Sequence, residues 1–229
     1  MGAGKATKRN FNQLLKMQNS GTHKLLESLL NELERHNAPV LRYLKDGVSK
    51  EKIEAAFEEN NIPLKLPEEV LELYKWKNGV SAFIEDDEPI IGELELFTQG
   101  VYTSFQLSFD TYISHILKSD FFTPSMFPLF ESGSGELFLV ECNPGSPEYK
   151  KILMFTLHDP ILAGGEVKSK YDSMESLLLT VLECYQKGIY FFSEFEGKRV
   201  FDIERMSEVE VATKHNPTSD YWAALQNQH

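Results

Sequence analysis

The sequence predicts an α+β fold, an antiparallel β-sheet with helices packed around it. Three observations carry that prediction. Residues 22–35, 108–118 and 172–187 repeat apolar side chains at helical spacing. Between residues 80 and 158 most other apolar residues fall in short runs bounded by Gly, Pro, Asn and Asp, which reads as strands and turns. Residues 66–79, LPEEVLELYKWKNG, carry the start and stop signals of one short helix.

Residues 1–19 are basic and polar, with Lys5, Lys8, Arg9 and Lys16 and the apolar group Phe11, Leu14 and Leu15. A loose start with a helical turn or two is expected. Gly4-Lys5-Ala6-Thr7 lacks the first glycine and the preceding strand of a phosphate loop. Across residues 22–35, Leu25, Leu26, Leu29, Leu30 and Leu33 form one stripe, Thr22 is placed to cap, and Asn37 and Pro39 end the helix. The stripe spans only two heptads, which favours packing on the domain over pairing with a second subunit. After a short apolar segment and the Asp46-Gly47 turn, Ser49 caps a helix with Ile53, Ala56 and Phe57 inward, closed by Asn60-Asn61 and Pro63.

In residues 66–79, Pro67 suits a first helical position because it needs no N–H partner there. Glu68 and Glu69 complement the positive end of the helix dipole, and Lys75 and Lys77 the negative end. Asn78-Gly79 tolerates the left-handed conformation that stops a helix. Val70, Leu71 and Tyr74 share the buried face. Trp76 lies off it, either half-buried against a loop or available as a binding anchor.

Residues 80–84 are a candidate strand, Glu85-Asp86-Asp87-Glu88-Pro89 a loop, and residues 90–97 a strand interrupted by Gly92 and carrying Glu93 and Glu95. Residues 85–95 thus hold six acids and no base. Two readings stand: a solvated hairpin edge kept from pairing by its charge, or a docking patch for a basic partner. Phe109, Tyr112, Ile113, Ile116 and Leu117 make residues 108–118 a helix. Residues 127–130, 136–142 and 151–158 read as strands, the last two being the most apolar pair and expected at the sheet's centre. Asp172-Ser173-Met174-Glu175 has capping-box spacing ahead of a stripe from Met174 to Tyr185, and Gly188 ends that helix. Residues 189–192 suit an edge strand. The tail shows a weaker helical pattern at Ile203, Met206 and Val209, then a cap and aromatic anchor at Ser219-Asp220-Tyr221-Trp222, and is expected to wrap the domain.

The LPxxhxxhhxxxNG pattern of residues 66–79 (h, apolar), carried by Pro67, Asn78 and Gly79, resembles the SUKH superfamily. That superfamily holds yeast cell-wall-synthesis regulators of the Smi/Knr type and many bacterial immunity proteins. Residues 47–61 are similar to the family's first helix. Residues 127–140, with Phe127, Pro128 and Gly135, are similar to its "FP-apolar, Gly-x-Gly, strand" segment, and residues 171–188 to its closing helix. The resemblance implies a Smi/Knr-like domain over residues 46–192, with a helical N-terminal extension (1–45) and a C-terminal extension (193–229) packing on it. It implies a non-enzymatic protein binder, an immunity protein against a toxin, many family toxins being basic nucleases. The family also admits an intracellular scaffold or regulator. The partner dock would then comprise Glu85, Asp86, Asp87, Glu88, Glu93 and Glu95, with Trp76 as anchor.

Composition narrows the classes. The net charge of −12 across 229 residues argues against direct nucleic-acid binding. No apolar run approaches the ~18 residues of a membrane span, so no membrane role is expected. Two cysteines, Cys142 and Cys184, are too few for a disulfide framework and fit a reducing, cytoplasmic setting. The six histidines show no metal spacing, and neither cofactor nor metal is expected. Cys142 with His158 and Asp159 is the remaining enzymatic candidate, and two buried strand residues are the simpler account of the first pair.

Overall fold

The computed structural model describes residues 21–81, 88–156 and 167–226. The leucine stripe sets the first element: α1 (Gly21–Arg35) buries Leu26, Leu29 and Leu33 in the main core. Thr22 is buried in the first turn, and Asn37, at φ 47°, ends the helix in the left-handed region. A 3-10 turn (Pro39–Arg42) leads into β1 (Leu44–Asp46). α2 (Lys50–Glu59) starts at Ser49, whose Oγ accepts from Lys52 N at 3.4 Å, and buries Ile53 and Phe57. Asn60 Nδ2 donates to Ala56 O and Asn61 takes φ 54°, so the Asn pair closes it.

α3 (Glu68–Trp76) begins one position later than the sequence predicts. Pro67 is extended, ψ 150°, and its carbonyl accepts from Val70 N and Leu71 N. The larger correction concerns Asn78-Gly79, which does not stop α3. The helix ends at Trp76 on an extended Lys77, and the pair lies in β2 (Lys77–Val80), antiparallel to β1. Gly79 has φ 69°, and a Cβ there would lie 2.3 Å from Ser104 N. Asn78 Oδ1 accepts from Phe105 N at 2.8 Å. The two residues cap and seat a helix far along the chain instead of ending their own.

Residues 90–97 are not one strand. A helical turn, α4 (Ile91–Leu94), precedes β3 (Glu95–Phe97). Gly92 permits a close crossing there, since a Cβ would lie 2.9 Å from Val200 Cβ. β4 (Gly100–Tyr102) follows. α5 (Phe105–Thr111) then starts earlier than its apolar spacing predicts and continues as a π turn (Tyr112–Ile116). Its start is set by Asn78 and by Ser104 Oγ, which accepts from Leu107 N. The first of those caps is invisible to local sequence.

β5 (Met126–Glu131), β6 (Leu137–Glu141), β7 (Ile152–Phe155) and β8 (Val167–Tyr171) complete an antiparallel sheet in the order β3-β4-β5-β6-β7-β8. The middle pair is β5–β6; the β6–β7 pair expected at the centre lies one strand over. Phe127 is fully buried, and Pro128 lies where the register slips between β5 and β6, a site that tolerates a missing N–H. Gly135, at φ 94°, turns the hairpin.

α6 (Met174–Gln186) packs against α1 and buries Leu177, Leu178, Val181 and Tyr185. Its capping box is one residue later than predicted. Ser173 Oγ accepts from Ser176 N, and Ser176 Oγ accepts from Ser173 N. Asp172 instead holds the tail, accepting from Thr218 N and Thr218 Oγ1. The tail also forms a hairpin that helical periodicity concealed: β9 (Tyr190–Phe195) pairs with β10 (Lys198–Ile203) across Glu196-Gly197, φ 51° and 77°, the signature of a type I′ turn. α7 (Arg205–His215) and α8 (Asp220–Gln226) end the described chain, and Ser219 Oγ accepts from Trp222 N as the cap. Trp222 is buried, and one hydrophobic cluster runs from Leu26 to Leu225.

Gly79 and Gly188 share nearly the same φ, 69° and 70°, but nothing lies within 4 Å of a Cβ built on Gly188. Gly188→Ala should therefore lose only about 1 kcal/mol, the left-handed penalty. Gly79→Ala adds a backbone clash and should lose at least ~3 kcal/mol. Urea denaturation midpoints of the two variants test the contrast, and equal losses would refute it.

Candidate functional site

The acid-rich segment divides at Glu88. Glu85, Asp86 and Asp87 lie outside the described residues. Glu88 is exposed, and its carbonyl accepts from Lys198 Nζ at 2.6 Å. Glu93 is turned inward by α4 and is 5% exposed. It accepts from Lys198 Nζ at 2.8 Å and from Ile90 N at 3.2 Å. Tyr43 Oη reaches its other oxygen at 3.5 Å. Glu95 accepts from Gln99 N at 3.1 Å, and burial pushes its carboxyl up to about 7 despite that bond. Glu93 is thus paired inside the fold, whereas Glu95 is half-buried. The helical turn Ile91–Leu94, where sequence alone predicts an alternating strand, is what directs Glu93 inward.

Trp76 packs half-buried against the main core, and its indole N–H is enclosed with no hydrogen-bond partner among the described residues. The family-pattern residues serve the fold: Pro67 starts α3, Asn78 and Gly79 seat α5, and Phe127, Pro128 and Gly135 shape β5 and its turn.

Three clefts meet around the first half of α3, and Glu68 lines all of them. The first runs from Gly21 past Glu69, Glu72 and Glu175. The second passes Glu51 and Lys75. The third, about 460 Å³, has an apolar wall of Phe57, Ile62, Pro63, Leu64 and Leu71 under Glu54 and Glu58. Lys50 bonds Glu68 at 2.9 Å and Lys150 bonds Glu69 at 2.7 Å, so part of the acid is neutralised in place. In the sequence Glu68 and Glu69 read only as helix-start residues. Their second role, as the shared rim of a trough, depends on α2 and α6 lying alongside.

The enzymatic candidate loses its nucleophile's setting. Cys142 is buried, and burial, with Glu141 beside it, pushes its thiol well above the usual range. His158 and Asp159 lie outside the described residues. Burial pushes the Cys184 thiol up to about 12. Among the described residues no group of three or more His, Cys, Asp or Glu could hold a metal ion. No helix there is long and apolar enough to cross a membrane.

A family model described as SMI1 / KNR4 family (SUKH-1) matches residues 47–180, more than half of the chain. No curated protein matches it.

Two outcomes follow from the inward carboxylates. Lys198→Met strands Glu93 and should cost about 2 kcal/mol, below the ~3–5 kcal/mol of a fully enclosed pair, because Lys198 is itself 31% exposed. Adding Glu93→Gln should recover part of the loss, and urea unfolding reads both. For Glu95 the folded carboxyl titrates above the unfolded one, so its contribution is fully favourable below about pH 4.5 and is lost as pH rises through about 7. Glu95→Gln should remove that fall; identical pH–stability curves for the two proteins between pH 4.5 and 7 would exclude it.

Proposed function

This chain belongs to the SMI1 / KNR4 family (SUKH-1), and we propose that it is a non-enzymatic protein-binding module, an immunity protein that neutralises a basic toxin domain. Family membership carries the reading. Two physical features support it. The first is the acid excess of 35 Asp and Glu against 23 Lys and Arg, which speeds and selects encounter with a basic surface. The second is the use of the family-pattern residues for shape: they hold α3, β2 and α5 in one rigid corner. The partner contact in this reading is the acid run Glu85, Asp86, Asp87 and Glu88, of which Glu88 is exposed, without the buried Glu93. No nucleic acid, membrane or cofactor takes part, and the buried Cys142 fits a structural thiol.

The resemblance to the Smi/Knr type also implies regulators, so a scaffold or regulatory role in the cell is the second reading. One experiment separates them. The full chain is used to capture partners at low salt, and each captured protein is expressed alone and with the chain. A partner that arrests growth alone and is harmless when co-expressed supports the immunity reading. A partner harmless in both settings supports the regulator and defeats the toxin reading.

With a partner in hand, lysine at Asp86, Asp87 and Glu88 should weaken binding by about tenfold or more, ~1.4 kcal/mol, mostly through a slower on-rate. Titration calorimetry and stopped-flow measure both. Unchanged affinity would remove residues 85–88 from the interface.

A further inference from the structure

The trough around α3 is graded along its length. At one end are Gly21, Glu69, Glu72 and Glu175 with Lys150; at the other are Phe57, Ile62 and Leu64 with Glu54, Glu58, Lys50 and Lys65. Glu175 and Glu58, exposed at opposite ends, have no ion-pair partner among the described residues. The described chain begins at Gly21, in the wall of the acidic end. The residues ahead of it complement the trough in both respects. Residues 1–20 hold Lys5, Lys8, Arg9 and Lys16 and no acid, and they carry Phe11, Leu14 and Leu15 as one apolar group.

We propose that residues 1–20 of this chain dock in the trough, with Phe11, Leu14 and Leu15 against its apolar wall and the cations along its carboxylates. Reach is no obstacle. Twenty extended residues span up to ~70 Å, several times the ~14 Å length of α3. A tether this short holds the segment at millimolar effective concentration, so weak contacts suffice to keep it in place. Opposite charge fixes the register, and apolar burial supplies the attraction that salt does not screen. The inference concerns the chain by itself and stands apart from the reading of its partner.

Zero-length carbodiimide cross-linking of the full chain, read by mass spectrometry, tests it. This reagent joins an amine to a carboxylate only where they touch. Lys8 and Lys16 should join predominantly to Glu58, Glu68, Glu72 and Glu175. The triple variant Phe11→Ala, Leu14→Ala, Leu15→Ala should lower those products severalfold. The Lys50–Glu68 and Lys150–Glu69 products report on the folded core, at 2.9 and 2.7 Å, and should stay unchanged in the variant. Three results would overturn the proposal. The amines of residues 1–20 may form no products, spread evenly over carboxylates all round the surface, or link only between isotopically distinguished copies, which would assign the trough to a second molecule.

Discussion

The fold turns on the contact between the corner after α3 and the start of α5. Asn78 Oδ1 satisfies Phe105 N, one of the orphan donors that every helix start leaves open. Gly79 lets the two backbones meet at a distance no side chain would permit. Beneath the corner, Tyr74 Oη donates to Ser108 Oγ at 2.8 Å. Ser108 Oγ and Thr103 Oγ1 lie 2.7 Å apart, and Thr103 Oγ1 donates to Leu129 O at 2.7 Å. A single chain of hydroxyls thus ties α3 to α5 and to β5. Separately, Tyr102 Oη donates to Lys77 O and ties β4 to β2. Each hydroxyl is buried with a partner, the condition under which a polar network rigidifies a core instead of weakening it.

The parts of the chain beyond the family match extend this frame. Arg199 Nη1 donates to Asn37 O, linking the C-terminal hairpin to the end of α1. Lys198 and Val200 of the same hairpin meet Glu93 and Gly92, so the hairpin fixes the turn that follows residues 82–87. Farther on, Asn216 Oδ1 accepts from Asp172 N, and its Nδ2 donates to Thr180 Oγ1. Glu183 receives Lys187, Lys214 and His215, which hold its carboxyl down to about 2. α7 is pinned to α6 by polar groups at the rim and by Val209, Val211 and Ala212 within. The N-terminal leucines and the C-terminal Trp222 share one core with the matched region.

Much of this was legible because it is local. The leucine stripe of α1, the Ser49 cap, the Asn60-Asn61 close and the apolar strands β5, β6 and β7 each follow from neighbours in sequence. What escaped is non-local. Asn78-Gly79 has the composition of a helix stop, and only the proximity of Ser104 and Phe105 reveals its use. The segment from Ile90 to Phe97 alternates like a strand, but Gly92 allows β10 to cross it, and the resulting turn points Glu93 inward. In the tail, Glu196-Gly197 is a two-residue hairpin signal, but Ile203, Met206 and Val209 at helical spacing lie just beyond it and compete with it. The Glu68 trough had no sequence signature, since its walls come from α1, α2, α3 and α6 together.

The same inward turn changes how the charge of the chain acts. Counting acids in the sequence treats each carboxylate as part of one surface field. Glu93, Glu136, Glu141 and Glu208 are buried, and each is held by a specific donor: Lys198, Ser132, the Asn143 backbone and Tyr190. These four shape loops and helix contacts, and their field is spent on neighbours a few ångströms away. Among the described residues, Glu51, Glu54, Glu58 and Glu59 of α2 and Glu68 of α3 are exposed. Glu68 stands on a helix tied to α5 and the sheet through the Tyr74 hydroxyl chain. Charge fixed on a rigid element keeps its geometry when a partner arrives, so less side-chain ordering opposes binding. A count of acids in the sequence therefore overstates the charge available at the surface, because the fold decides which carboxylates are spent on internal contacts.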